Sequence, residues 1–88
     1  MAVEIYSTVV CPYCVNAKQL LDAKGIDYVE YLIDKEPNKL SEMLERCDNR
    51  KTVPQIIIHG KAIGGFDNLQ QLELSGKLNS LLNQTGEK

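Results

Sequence analysis

The sequence has no concentrated basic stretch. Ten Lys and Arg stand against twelve Asp and Glu, for a net charge of −2, and the basic residues are scattered apart from Arg50 and Lys51. An extended nucleic-acid face needs a clustered positive footprint, so that class of partner is excluded. No apolar run approaches the ~20 residues needed to span a bilayer, and the opening MAVEIYSTVV lacks the basic leader and apolar core of a signal peptide. A cytoplasmic protein with no membrane partner is expected. Internal repeats, linkers and low-complexity segments are also missing, so residues 1–88 are expected to form one domain. A chain of this size buries roughly 60 to 65% of its unfolded surface. Cysteine is sparse too: Cys11, Cys14 and Cys47 form an odd set. In a reducing compartment a close pair points to redox or metal chemistry rather than to a permanent staple.

What is present is an ordinary globular composition, 43% apolar and 25% charged, arranged with clear periodicities. Val3 to Ser7 reads as a strand. From Pro12 to Lys24, apolar residues Cys14, Ala17, Leu20 and Leu21 recur at helical spacing, Pro12 suits a first helical position, and Gly25 suits the stop. Asp27 to Ile33 reads as a second strand, parallel to the first because a helical crossover separates them. Leu40, Met43, Leu44 and Cys47 lie at i, i+3, i+4 and i+7 and predict the buried stripe of a second helix, running from near Pro37 to near Asn49. Gln55 to His59 and Lys61 to Gly64 read as a hairpin turning at Gly60. Asp67 and Gln70 resemble a capping box opening a third helix that Ser75 and Gly76 end. Leu78, Leu81 and Leu82 suggest a last helical turn, and the tail from Thr85 to Lys88 is expected to fray. The order β, α, β, α, β, β, α with a short final helix suits a small mixed sheet covered by helices on both faces.

The pair Cys11 and Cys14 carries the chemistry. If Pro12 opens a helix, Cys11 sits at its cap, where unpaired N–H groups and the positive dipole end stabilise a thiolate. Cys14 lies one turn later on the Ala17 and Leu21 stripe, within reach of Cys11 and partly buried. An attacking and a resolving thiol result. A zinc site would need two further ligands; the candidates Cys47 and His59 do not form a second close pair, and no metal is expected. Cys47 reads as a small buried hydrophobe and His59 as a hairpin residue with no catalytic partner.

Three ordered motifs, CPYC at residues 11–14, TVP at Thr52 to Pro54 and GGFD at Gly64 to Asp67, together with the element order, resemble the glutaredoxins, small enzymes of the thioredoxin fold that use glutathione. The resemblance implies a four-stranded mixed sheet whose third strand runs antiparallel to the others, with Pro54 after a cis bond facing the cysteines. It implies catalysis by Cys11 and Cys14 and a glutathione site comprising Tyr13, Thr52, Val53, Pro54, Gly65, Phe66 and Asp67. Val53 would meet the cysteinyl unit through its backbone, a one-residue form of strand addition. Phe66 and Asp67 would offer N–H groups to the glutamyl carboxylate, and the Asp67 side chain would meet the glutamyl amino group. Tyr13 would border the groove. Many glutaredoxins carry a lysine three positions before the first cysteine; here Thr8 stands there, and Arg50, Lys51 and Lys39 are the candidates to supply the missing charge.

The resemblance implies a monomer that reduces protein disulfides and glutathionylated proteins with glutathione as co-substrate. Two alternatives come with it. One is a carrier in which two subunits hold an iron–sulfur cluster through each Cys11 and two glutathiones, a role tied in the family to CGFS sites or to sites lacking this proline. The other is a thioredoxin-like reductase served by a flavoprotein, against which the GGFD motif argues.

Overall fold

The computed structural model describes residues 3–83. Their elements are β1 (Val3–Ser7), α1 (Pro12–Ala23), β2 (Val29–Leu32), α2 (Pro37–Arg46), β3 (Gln55–Ile58), β4 (Lys61–Gly64), α3 (Phe66–Leu74) and α4 (Lys77–Leu82). The expected order is found, with shifted ends. Helix α2 stops at Arg46 rather than near Asn49 because Asp48 and Asn49 adopt left-handed backbone, φ 55° and 63°. Strand β3 stops one residue early because His59 (φ 51°) and Gly60 (φ 80°) form the two-residue turn together. The expected Asp67 cap is corrected: Gly65 is the N-cap of α3, Phe66 its first residue, and the Asn68 side chain, not Gln70, reaches back to the Gly65 N–H at 3.2 Å. The Thr85 to Lys88 tail lies outside the described residues.

The strands lie in the order β2-β1-β3-β4. Strand β1 pairs parallel with β2, Tyr6 opposite Tyr31, and antiparallel with β3, Ile5 opposite Ile56. Strand β4 closes the other edge antiparallel to β3. The peptide bond between Val53 and Pro54 is cis. This is the four-stranded mixed sheet of the thioredoxin fold.

Alternation along β1 and β3 sorts side chains to two faces. Val3, Ile5, Ile56 and Ile58 point one way and pack with Ala17 and Leu21 of α1, Leu69 of α3 and Leu78 of α4. Tyr6 and Ile57 point the other way, against Met43 and Cys47 of α2. Burying each such large aliphatic side chain contributes about 1.5 to 3 kcal/mol. Leu40 departs from its expected place: it is 36% exposed, so the buried stripe of α2 begins at Met43.

Polar contacts tie the helices to the sheet. Arg46 of α2 donates to both carboxylate oxygens of Glu4, each at 2.9 Å, and to the Tyr6 hydroxyl at 2.8 Å. Tyr6 in turn donates to Glu42 at 2.5 Å, and Tyr31 to Glu4 at 3.0 Å. Arg46 holds the Glu4 carboxyl below its ordinary range, and the Tyr6 hydroxyl does the same for Glu42. Burial pushes Tyr6 well above the usual phenol range. On α1, Lys18 pairs with Glu30 of β2 at 2.8 Å, and Ser7 donates to the same carboxylate at 2.5 Å. Burial works to raise Glu30, but those two hydrogen bonds and the Lys18 charge outweigh it and the carboxyl sits low. Among the described residues no helix is long and apolar enough to cross a membrane.

Candidate active site

β1 ends at Ser7 and α1 begins at Pro12, so the first cysteine falls at the boundary. Cys11 is the N-cap of α1, with extended backbone (φ −157°, ψ 101°), and Pro12 takes the first helical position. The Cys14 N–H donates to Cys11 Sγ at 3.1 Å, the contact a capping side chain makes, here with sulfur as acceptor. No acidic residue occupies the first turn to oppose an anion there. Cys11 is half-buried whereas Cys14 is 1% exposed, and the two are joined in a disulfide with Cα atoms 5.2 Å apart. The two sulfurs thus differ in access: one faces the surface at a helix end, the other is sealed beneath it.

The loop before Cys11 supplies no charge. Thr8 closes a local turn, its Oγ1 donating to the Val10 carbonyl at 3.3 Å, and the Val9 N–H donates to the Asp34 carboxylate at 3.1 Å. Val9, Val10 and Tyr13 are exposed around the pair, Val10 most of all at 87%.

Beside the cysteines lies a groove of about 260 Å³. Tyr13, Thr52, Val53, Pro54, Gly65, Phe66 and Asp67, all singled out from the sequence, line it together. Cys11 Sγ stands 3.9 Å from the Val53 carbonyl oxygen, at the edge of one wall. The opposite wall is the start of α3, whose first-turn N–H groups lack intrahelical partners. Two glycines let the walls meet. A Cβ on Gly65 would stand 3.3 Å from the Pro54 carbonyl, and one on Gly64 (φ 110°) would stand 2.5 Å from Asn68 Oδ1. The rings of Tyr13 and Phe66 lie 6.5 Å apart across the opening.

Three lining residues were not among those singled out for the groove: Arg50, Gln55 and Asn68. Of the three cations considered for the missing lysine, Arg50 lines the groove. Lys39 instead sits 4.2 Å over the Tyr31 ring and beside Glu42, and Lys51 is exposed outside the lining. Cys47 is buried at the C-cap of α2, and burial pushes its thiol up. His59 sits in the hairpin turn with a ring nitrogen 3.1 Å from the Leu82 carbonyl. Among the described residues, no three His, Cys, Asp or Glu side chains are grouped to hold a metal ion.

The Glutaredoxin family model matches residues 3–63. Glutaredoxin 3 of Escherichia coli (strain K12) is 48% identical over 80 residues, covering 91% of this chain and 95% of its own. A glutaredoxin of Pseudomonas aeruginosa is 46% identical over 80 residues, covering 91% and 94%. Among solved structures, the buckwheat glutaredoxin–glutathione complex superposes with a TM-score of 0.85 at 31% identity, over 97% of this chain and 79% of that one. The dithiolic glutaredoxin 2-C-Grx1 of Trypanosoma brucei brucei does so with a TM-score of 0.82 at 38% identity, over 93% and 87%.

Proposed function

Since the chain belongs to the glutaredoxin family, and so is a glutathione-dependent thiol–disulfide oxidoreductase, we propose that Cys11 is its attacking thiol, Cys14 its resolving thiol, and the groove beside them its glutathione site. The observation that carries this reading is the position of Cys11 Sγ. It accepts an N–H at a helix start and stands 3.9 Å from the Val53 carbonyl at the groove's edge. A thiolate placed there is stabilised by the helix end and faces the sulfur of a bound glutathionyl group.

In one route the Cys11 thiolate attacks the glutathione sulfur of a glutathionylated protein. The protein sulfur leaves with the bond's electron pair and takes a proton, and glutathione is now joined to Cys11. The thiolate of a second glutathione attacks that glutathionyl sulfur, so oxidised glutathione departs and Cys11 is again a thiolate. Cys14 has no part in this route. In the other route Cys11 attacks a protein disulfide, and Cys14 attacks Cys11 Sγ in the mixed species, releasing the second protein thiol. The Cys11–Cys14 disulfide is then reduced by two glutathiones. The expected potential falls near the ~−200 to −230 mV of glutaredoxins.

In the groove, Val53 offers its backbone N–H and C=O to the cysteinyl unit, with Thr52 and Pro54 shaping that wall. Phe66 and Asp67, after Gly65, offer helix N-terminal N–H groups to the glutamyl carboxylate, while the Asp67 carboxylate takes the glutamyl amino group. Tyr13 closes one side. Arg50, the cation in the lining, takes the glycyl carboxylate in place of the lysine that Thr8 replaces. Residues 1–88 act as one domain, a cytoplasmic monomer working on disulfide-containing and glutathionylated proteins. A coupled assay comparing electron sources tests the reading. Turnover should require glutathione with its reductase, and equal turnover with a thioredoxin reductase and no glutathione would overturn it.

A further inference from the structure

Strand β3 reads QIII, and all four residues are buried. Three are isoleucines whose burial follows from their chemistry; Gln55, 2% exposed, is not explained that way. A buried primary amide is costly unless its hydrogen-bonding groups are met. Gln55 Nε2 donates to the Thr52 carbonyl at 3.0 Å and to Thr52 Oγ1 at 3.2 Å, while Oε1 has no partner among the described residues. A methionine of similar length would fill the same space without an unpaired acceptor but would lose both hydrogen bonds to Thr52, so what the amide adds at this position is the tie to Thr52.

Gln55 is fixed by the sheet, where it pairs with Tyr6 of β1. Thr52, by contrast, lies outside the sheet and is exposed. The two hydrogen bonds therefore tie Thr52 to a strand residue, and the residues held between the tied ends are Val53, which also packs against the Met43 and Cys47 face, and the buried Pro54. Gln55 is also part of the groove wall, bordering the groove on one side and a smaller cavity of about 180 Å³ on the other. We infer that Gln55 is a positioning residue for glutathione: its amide holds Thr52, and through it aims the Val53 backbone at the cysteinyl unit of the ligand. The inference rests on the assignment of Val53 as a glutathione contact.

The test uses the full chain and two substrates, one peptide carrying glutathione on its cysteine and the same peptide carrying cysteamine, which has no peptide amide for Val53 to meet. Gln55→Met should lower kcat/KM on the glutathionylated peptide about five- to ten-fold, the worth of a hydrogen bond or slightly more. The loss on the cysteamine adduct should be less than about two-fold. Equal loss on both substrates, or loss on neither, overturns the inference. Gln55→Glu gives a second reading if the first variant folds poorly, because a protonated carboxyl can donate to the Thr52 carbonyl and a carboxylate cannot. Its rate relative to wild type on the glutathionylated peptide should rise as the pH falls from about 8 to 6, and a flat ratio contradicts the clamp. To separate the two claims, amide exchange at Val53 is measured in a Cys14→Ser background before and after glutathione is placed on Cys11. Slowed exchange upholds the contact, whereas unchanged exchange overturns the contact and the clamp together.

Discussion

Cys11 and Cys14 are chemically alike and differ only in where one helical turn puts them. Cys11 caps the helix at a half-exposed position, and Cys14 is sealed against the core. In the reduced protein at neutral pH, iodoacetamide should label Cys11 rapidly, while Cys14 and the buried, upward-shifted Cys47 react only after unfolding. Mass spectrometry of the labelled peptides checks this, and fast labelling of Cys14 would contradict the division of roles. Thr8 makes a sharper residue-level prediction, because its hydroxyl is spent on the Val10 carbonyl and adds no charge near the thiolate. Thr8→Lys should lower the Cys11 pKa, read as a downward shift in the pH dependence of the alkylation rate. The pair was legible from CPYC because proline and a following apolar stripe mark a helix start locally. Arg50 stood among three candidate cations with Lys51 and Lys39, and Gln55 was not singled out, since nothing local tells a groove-lining arginine from a solvated one or a groove-lining glutamine from a strand's first residue.

The start of helix α3 forms one wall of the groove, the wall proposed to take the glutamyl end of glutathione, and its first turn depends on close contacts between backbone and side chain. Gly64 has φ 110° and would, as alanine, bring its Cβ within 2.5 Å of Asn68 Oδ1. Gly64→Ala should therefore cost about 1 to 3 kcal/mol by chemical denaturation and weaken glutathione binding as well. Asn68→Ala, which removes the acceptor for the Gly65 N–H, should cost about 1 kcal/mol. Loss of stability with unchanged glutathione affinity in Gly64→Ala would count against α3 as a binding wall. Most elements could be read in advance because their apolar periods are strong. The start of α3 was misread by two residues because a glycine N-cap has no side chain to announce it, and the cap comes backward from Asn68. Leu40 looked like core on periodicity, but it is exposed and stands outside the cluster that Met43 and Cys47 form with Tyr6 and Ile57.

At the scale of the molecule, two apolar faces of one sheet carry most of the fold, and carboxylates at their margins give it a pH dependence. Glu4, Glu30 and Glu42 all titrate below their ordinary value in the folded state. Their folded pKa values lie under the unfolded ones, so the unfolded chain binds more protons in that window. The stability they contribute is fully present above about 4.5 and is lost as the pH falls through the folded values. Thermal unfolding between pH 6 and 3 should show Tm falling below about pH 4.5, and Glu4→Gln should flatten that fall. These margins lie away from the groove and do not bear on the proposed chemistry, which would rest on one asymmetry between two thiols. The most direct test of that asymmetry is turnover of a glutathionylated protein with glutathione as the reductant, measured for Cys11→Ser and Cys14→Ser side by side. Cys14→Ser should keep substantial activity and Cys11→Ser none; substantial turnover by Cys11→Ser would contradict the assignment of Cys11 as the attacking thiol.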